Sequence, residues 1–400
     1  MGLGSHHLGV TRRAALAGAA GALLVPAAAN ASGPSWRFAP PPWDAYRSGD
    51  QRNREAARLL PPGEVAAGAR WRDDLDHSHL AAVKAAATLL DLPTEDPGRR
   101  FRLTPGALAV LLSANSMAPI ETPRRMDGTL MLFALRGRVV ADPAQIGLPL
   151  EAVDLSVAEV DHQSPRCVLG VWHRADSRIA VFAGSTVANR HAMALQARAF
   201  ARARAGGPVW RIANVLPTGR HDFTVGDHGG WHPAALRGAA RQPALRSSTG
   251  RLAWRDLTLD VAAVMDNIHP AKTPEDPQGA AFSSYGCLTV AERRPPTTWS
   301  LQPPDWRTFA TLADVRPHGR VHGLALLTGG EAWLAVQGTP APRLRYGSKG
   351  SHVTALRRAM GLAGGDAFDT AMLQRWLSAG AGAAPVVLRE GDYRFPVKPA

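Results

Sequence analysis

CVLGVWHRADSRIAVFAG, residues 167–184, is the stretch on which the reading of the fold turns. Two apolar runs of strand length flank a polar stretch, His173 to Ser177, so the segment predicts a β-hairpin with its turn there. Working back along the chain, TLMLFAL (129–135) and RVVA (138–141) are further short β-rich runs separated by polar turns. Working forward, NRHAMALQARAFARARAGG (189–207) predicts a helix with Asn189 as its cap and Gly206 as its stop. Its arginine face reads as solvated. VWRIANV (209–215), a loop region over 216–250, and a strand in RLAWRDLTLDV (251–261) follow. The expected class is mainly β with one or two helices.

The flanks differ in character. TRRAALAGAAGALLVPAAANAS (11–32) pairs Arg12 and Arg13 with an apolar run from Ala14 to Val25, then Pro26 and a small-residue site at Ala29-Asn30-Ala31. That order predicts a secretory leader over 1–31, cut after Ala31, with a core too short to span a bilayer comfortably. The arginine pair resembles a twin-arginine leader, with Ala15 where such leaders usually carry Phe. Residues 32–100 read as an arm followed by a helical region, where HSHLAAVKAAATLLDL (77–92) places Leu80, Val83, Ala87 and Leu90 at helical spacing. In LTPGALAVLLSANS (103–116), Thr104 and Pro105 form a helix start signal with a packing role. A composition break at QGTPAPRLRYGSKG (337–350) separates the domain at 101–336 from a small helical unit at 337–400. There Val353, Leu356 and Met360 predict one apolar stripe, and Ala371, Leu373 and Leu377 a facing one. Such a short unit is expected to dock on its neighbour.

The net charge of +13 is carried by arginine, because lysine occurs only at positions 84, 272, 349 and 398. Charge spread along the chain, with no lysine-rich tail or base-reading motif, argues against a nucleic-acid partner. Two cysteines in an exported chain could form one disulfide. Cys167, however, lies inside an apolar run, whereas Cys287 follows Ser-Tyr-Gly in SSYGCLTV (283–290). These settings favour a buried Cys167 and a functional Cys287. A thiol needs a base or a positive dipole to act as a nucleophile. His269 lies eighteen residues upstream in MDNIHPAKTPEDPQGAAFSSYGC (265–287), so a strand, a Pro- and Gly-rich loop and a return could join imidazole and thiol. Amides around Tyr285, Gly286 and Cys287 could cradle an oxyanion.

His269, Ser284, Gly286 and Cys287 resemble the signature of L,D-transpeptidases, in which a histidine is followed at a distance by Ser/Thr-His-Gly-Cys. LPTGRHDFTV (216–225) is similar to a second run of that family, through Pro217, Gly219 and Phe223. Tyr285 stands where the family has histidine before Gly-Cys, Pro270 where it has a small residue, and Thr289 where it has Asn or Arg. The resemblance implies a β-sandwich. It also implies a Cys287 acyl-enzyme with a peptidoglycan stem peptide, His269 as base, and Ser284, Tyr285 and Gly286 around the oxyanion and substrate. With Pro270 in place, a backbone carbonyl is the expected partner of the second His269 nitrogen. No cofactor or metal is implied. The C-terminal unit resembles a three-helix peptidoglycan-binding module through Leu344, Gly347, Gly350, Val353, Leu356, Phe368 and Trp376. Together these imply an envelope protein that transfers the acyl group to an amine, or to water as an L,D-carboxypeptidase or endopeptidase. Two rivals stand beside it. One is a zinc wall peptidase using His221, Asp222, Asp227, His228 and His232. The other is a wall-binding protein in which Cys287 is only a core residue.

Overall fold

The computed structural model describes residues 99–117, 130–158, 160, 164–189, 192, 213–228, 232–239, 242–247, 257–260, 266–271, 284–293, 303–316, 321–340 and 344–378. The leader at 1–31, the arm and the helix at 77–92, and all but the start of the helix at 189–207 lie outside them. Among the described residues no helix is long and apolar enough to cross a membrane.

The quoted hairpin is present. β5 (Cys167–His173) pairs antiparallel with β6 (Arg178–Ser185) from Cys167↔Gly184 to His173↔Arg178, around a four-residue turn. β2 (Leu130–Arg136) pairs with β5, and β14 (Val321–Thr328) runs parallel to β2. These four strands are apolar at nearly every position because both of their faces are covered. Leu132, Ala134, Leu169, Phe182, Leu324 and Leu326 point into one core. Their neighbours Phe133, Leu135, Val168, Val181, Ala325 and Leu327 point into another. The second core is roofed by α1 (Pro105–Ala114), which starts at Thr104 as expected, the Thr104 hydroxyl accepting from the Ala107 N–H at 3.1 Å. A small sheet of β1 (Arg100–Leu103), β4 (Val153–Val157) and β3 (Arg138–Val140) completes the roof.

The sandwich expected from the resemblance is not formed. β8 (Gly219–His228) pairs with β14 on one side and with β9 (His232–Gly238) on the other. β9 reaches β12 (Ile268–Pro270) through Ile268↔Leu236, β12 runs parallel to β13 (Leu288–Val290), and β13 returns to β6. The result is a closed eight-stranded mixed barrel, β12-β13-β6-β5-β2-β14-β8-β9. Alternation along a strand reports only that one face is buried, which a sandwich and a barrel both satisfy. Closure depends on pairings that periodicity does not carry.

Within residues 216–250, expected to be a loop region apart from the family-like run at 216–225, the described residues form β8, β9 and β10 (Ala244–Ser247). β10 pairs with β7 (Asn214–Val215) and β11 (Leu257–Asp260) in a second small sheet. GRHDFTVGDH has few β-favouring side chains, and six consecutive backbone pairs to β14 override that preference. Two helices also went unread. α2 (Pro304–Leu312) starts with proline in its first turn, and α3 (Gly329–Val336) starts with a Thr328–Glu331 capping box behind a glycine pair.

In the C-terminal unit, α4 (Ser351–Ala359) and α5 (Thr370–Ser378) pack through Val353, Leu356, Phe368, Met372 and Leu373. Ala371 is exposed, so the second stripe runs through Met372 instead. These two helices are the described part of the expected three; residues 379–400 and the Trp376 side chain lie outside. The unit docks on the barrel as expected. The Arg220 N–H donates to the Tyr346 carbonyl at 2.8 Å, and Ser348 Oγ donates to the Asn115 carbonyl at 2.6 Å. The Arg345 guanidinium forms a fully buried ion pair with Glu331. Arg345→Met would leave a carboxylate buried without that cation, and should lower stability by about 3–5 kcal/mol in a denaturant titration.

Candidate active site

Cys287 and His269 are brought together by adjacent parallel strands, in register Ile268↔Leu288 and His269↔Thr289. Ile268, Leu288 and Val290 point into the barrel core, so strand alternation places Asn267, His269, Cys287 and Thr289 on the outer face. The expected return ending at Cys287 is corrected in one respect: Cys287 stands just before its strand, which runs parallel to that of His269. A parallel pair needs a long crossover, and the chain between Pro270 and Leu288 supplies it.

The cysteine turn is tightly held. Ser284 Oγ donates to the Cys287 carbonyl at 2.6 Å and accepts from the Gly286 N–H at 3.0 Å. The Asn189 N–H donates to the Ser284 carbonyl, and the Asn214 N–H donates to the Tyr285 carbonyl. Asn189 Oδ1 accepts from the Ala192 N–H at 2.8 Å, the cap bond expected at this helix start. Gly286 adopts φ +145°, and a Cβ there would lie 2.4–2.6 Å from Asn214 atoms. The Asn214 amide in turn donates to the buried Asp266 carboxylate. The Gly286 amide, one of those expected to cradle an oxyanion, donates to Ser284 Oγ in this structure. The Tyr285 side chain packs against Ala188, Ala192 and Ala213.

His269 Nδ1 donates to the Pro270 carbonyl at 2.8 Å, a backbone acceptor as the sequence favoured. That bond leaves Nε2 as the acceptor. Cys287 is buried, and burial pushes its thiol well above the usual range. The Asp266 carboxylate adds to the rise, while the Asn267 N–H, 3.4 Å from Sγ, opposes it. The other thiol, Cys167, is also free and sits inside the barrel, where burial pushes it up to about 12.

No protein-family model matches this chain, and neither do any of the curated proteins or solved structures compared with it.

The five residues of the zinc alternative do not converge. His221 is buried, donates Nε2–H to the Pro217 carbonyl at 2.8 Å, and faces the Tyr346 ring, while Asp222 is half exposed. His228 on β8 and His232 on β9 pair with each other and stack instead with His269, each at 4.9 Å between ring centroids. Between Gly226 and His228 the register slips, two steps on β8 spanning three on β9. Bulges of this kind re-aim side chains near functional sites. His228 is therefore a site neighbour that only the non-local pairing reveals. Asn214, Asp266 and Asn267 were likewise unread, since no motif singles them out.

His221 yields a pH prediction. Burial lowers it from 6.5 to about 4, so between these values the unfolded chain binds a proton that the folded chain does not. Its contribution is complete above pH 6.5 and is lost as pH falls towards 4. Unfolding free energy should drop by roughly 3 kcal/mol over that window. The drop should be much smaller in His221→Gln, as read from denaturant titrations at each pH.

Proposed function

We propose that this chain is an exported, cysteine-dependent L,D-transpeptidase acting on peptidoglycan stem peptides. The observation that carries the reading is the His269–Cys287 pair, held on one face of adjacent strands with Nδ1 of the imidazole committed to the Pro270 carbonyl. Cys287 Sγ attacks the carbonyl carbon of a meso-diaminopimelate–D-alanine bond while His269 Nε2 takes the thiol proton. The tetrahedral intermediate collapses as His269 returns that proton to the leaving amine, D-alanine departs, and a thioester remains. An amine acceptor then yields a cross-link; water yields a carboxypeptidase or endopeptidase outcome through the same residues. Because the resting thiol is buried and hard to ionise, deprotonation accompanies attack. The preformed thiolate–imidazolium pair is not required.

The leader-like N-terminus and the C-terminal unit support a location in the envelope. In that unit, Val353 builds the small core, Leu344 packs against it, and Gly350 caps α4. At Gly347 a Cβ would lie 2.5 Å from Arg220, so this glycine serves the docking contact. A wall-binding surface on the unit would therefore lie away from the Tyr346 edge. A second reading, a non-catalytic wall-binding protein, is favoured by the burial of Cys287.

The test is incubation with a disaccharide tetrapeptide, with products read by mass spectrometry. Loss of D-alanine together with a thioester mass on the protein, both absent in Cys287→Ala, is the expected result. Wall pull-down of folded protein with neither product would overturn the enzyme reading in favour of the binder.

A further inference from the structure

One ring nitrogen each from His228 and His269 and the Cys287 sulfur lie within 4.8 Å of one another, on three segments that meet only in the folded barrel. Acyl transfer uses two of these groups and gives His228 no task. We propose that His228, His269 and Cys287 form a site for a borderline-soft divalent cation of the zinc class, and that filling it shuts the acyl-transfer centre. The regulatory half rests on the proposed role of Cys287; the binding half does not.

Two imidazoles and a thiolate suit zinc or copper, not magnesium or calcium, which take oxygen ligands. Zinc bonds of about 2.0–2.1 Å to nitrogen and 2.3 Å to sulfur imply donor separations of about 3.3–3.6 Å in a tetrahedral site. The three donors therefore need to close by about 1 Å, the scale of a side-chain rotation. Both histidines have the outer partners that such ligands use. His269 donates Nδ1–H to the Pro270 carbonyl, so its Nε2 is a ready ligand. The Asn267 amide contacts His228 Nδ1. That contact sets the tautomer of the His228 ring, whose nitrogen within 4.8 Å of the other two donors is the second ligand. Binding the cation releases the Cys287 proton to solvent and forms the metal–sulfur bond. The fourth position stays open to water. With the cation in place, the nucleophile's lone pair and the base's Nε2 are both engaged, so neither can act on a stem peptide.

The experiment titrates chelator-treated, desalted full-length protein with Co²⁺ and records absorption. It then compares the rate of covalent modification by a carbapenem with and without Zn²⁺. The expected results are a thiolate-to-cobalt charge-transfer band with intense four-coordinate visible bands, and a strong slowing of modification by Zn²⁺. In His228→Gln the cobalt affinity should fall at least about tenfold. The ratio of the rates without and with Zn²⁺ should shrink accordingly. Absence of the charge-transfer band in folded wild-type protein would overturn the site. A band without slowing would overturn the shut-off, as would Zn²⁺ raising stem-peptide hydrolysis. If Cys287 is not modified even without metal, the acyl-transfer reading fails while the cobalt band still decides the site.

Discussion

His269→Gln should slow covalent modification of Cys287 by a β-lactam of the carbapenem class by at least about 10²-fold, the lower end of what a positioned base contributes. The reason is specific to this site. Burial and the Asp266 carboxylate both raise the Cys287 thiol above its ordinary value, so the fraction ionised at neutral pH is minute and the base must take the proton as the bond forms. In wild type the rate should be large near neutrality despite the raised thiol. In the variant it should climb with hydroxide concentration across the whole accessible range, since only free deprotonation is left. A rate in the variant close to wild type would remove His269 from the chemistry. Stopped-time mass spectrometry at several pH values reads both quantities.

The second large effect is expected at Gly286. An added Cβ would meet Asn214 Nδ2 at 2.4 Å, the Asn214 carbonyl oxygen at 2.5 Å and Cγ at 2.6 Å, and φ is +145°. The backbone oxygen cannot swing away as a long side chain can. The strained conformation alone costs about 1–3 kcal/mol. The overlap adds to it by pushing Asn214 off Asp266 and the Tyr285 carbonyl. Gly286→Ala should therefore lose several kcal/mol of stability and nearly all Cys287 modification. Gly350→Ala supplies the comparison, because φ is +114° there with nothing within 4 Å of the added carbon. It should show the strain without the collision, and keep Cys287 reactive. Equal losses in the two variants would mean that Asn214 does not hold the cysteine turn.

Some of this was legible along the chain, and the reasons are local. The hairpin at 167–184 is announced by two apolar runs around a polar turn, and Thr104-Pro105 announces α1 through its cap. His269 and Cys287 could be paired because the spacing of a known signature carries the pairing, and Pro270 directed attention to a backbone partner for the imidazole. The barrel was not legible. Its closure rests on Ile268↔Leu236 and on β8 pairing both ways, and these contacts join polar, glycine-bearing segments whose side chains say little about strands. The same non-local pairing delivers His228 beside His269, which explains why a reading by sequence proximity grouped it with His221 and Asp222 instead. In the C-terminal unit the glycine positions were visible but their use was not. Gly347 serves a contact with Arg220 that exists only once the unit has docked.

In the proposed function Cys287 is the nucleophile of an acyl-transfer centre. Intact-protein mass spectrometry after exposure of full-length, folded protein to a carbapenem tests it most directly, with wild type and Cys287→Ala side by side. One adduct of the drug's mass is expected on wild type, mapping to the peptide that contains Cys287, and none on the variant. An unmodified wild-type protein, or an adduct that persists in Cys287→Ala, would contradict it.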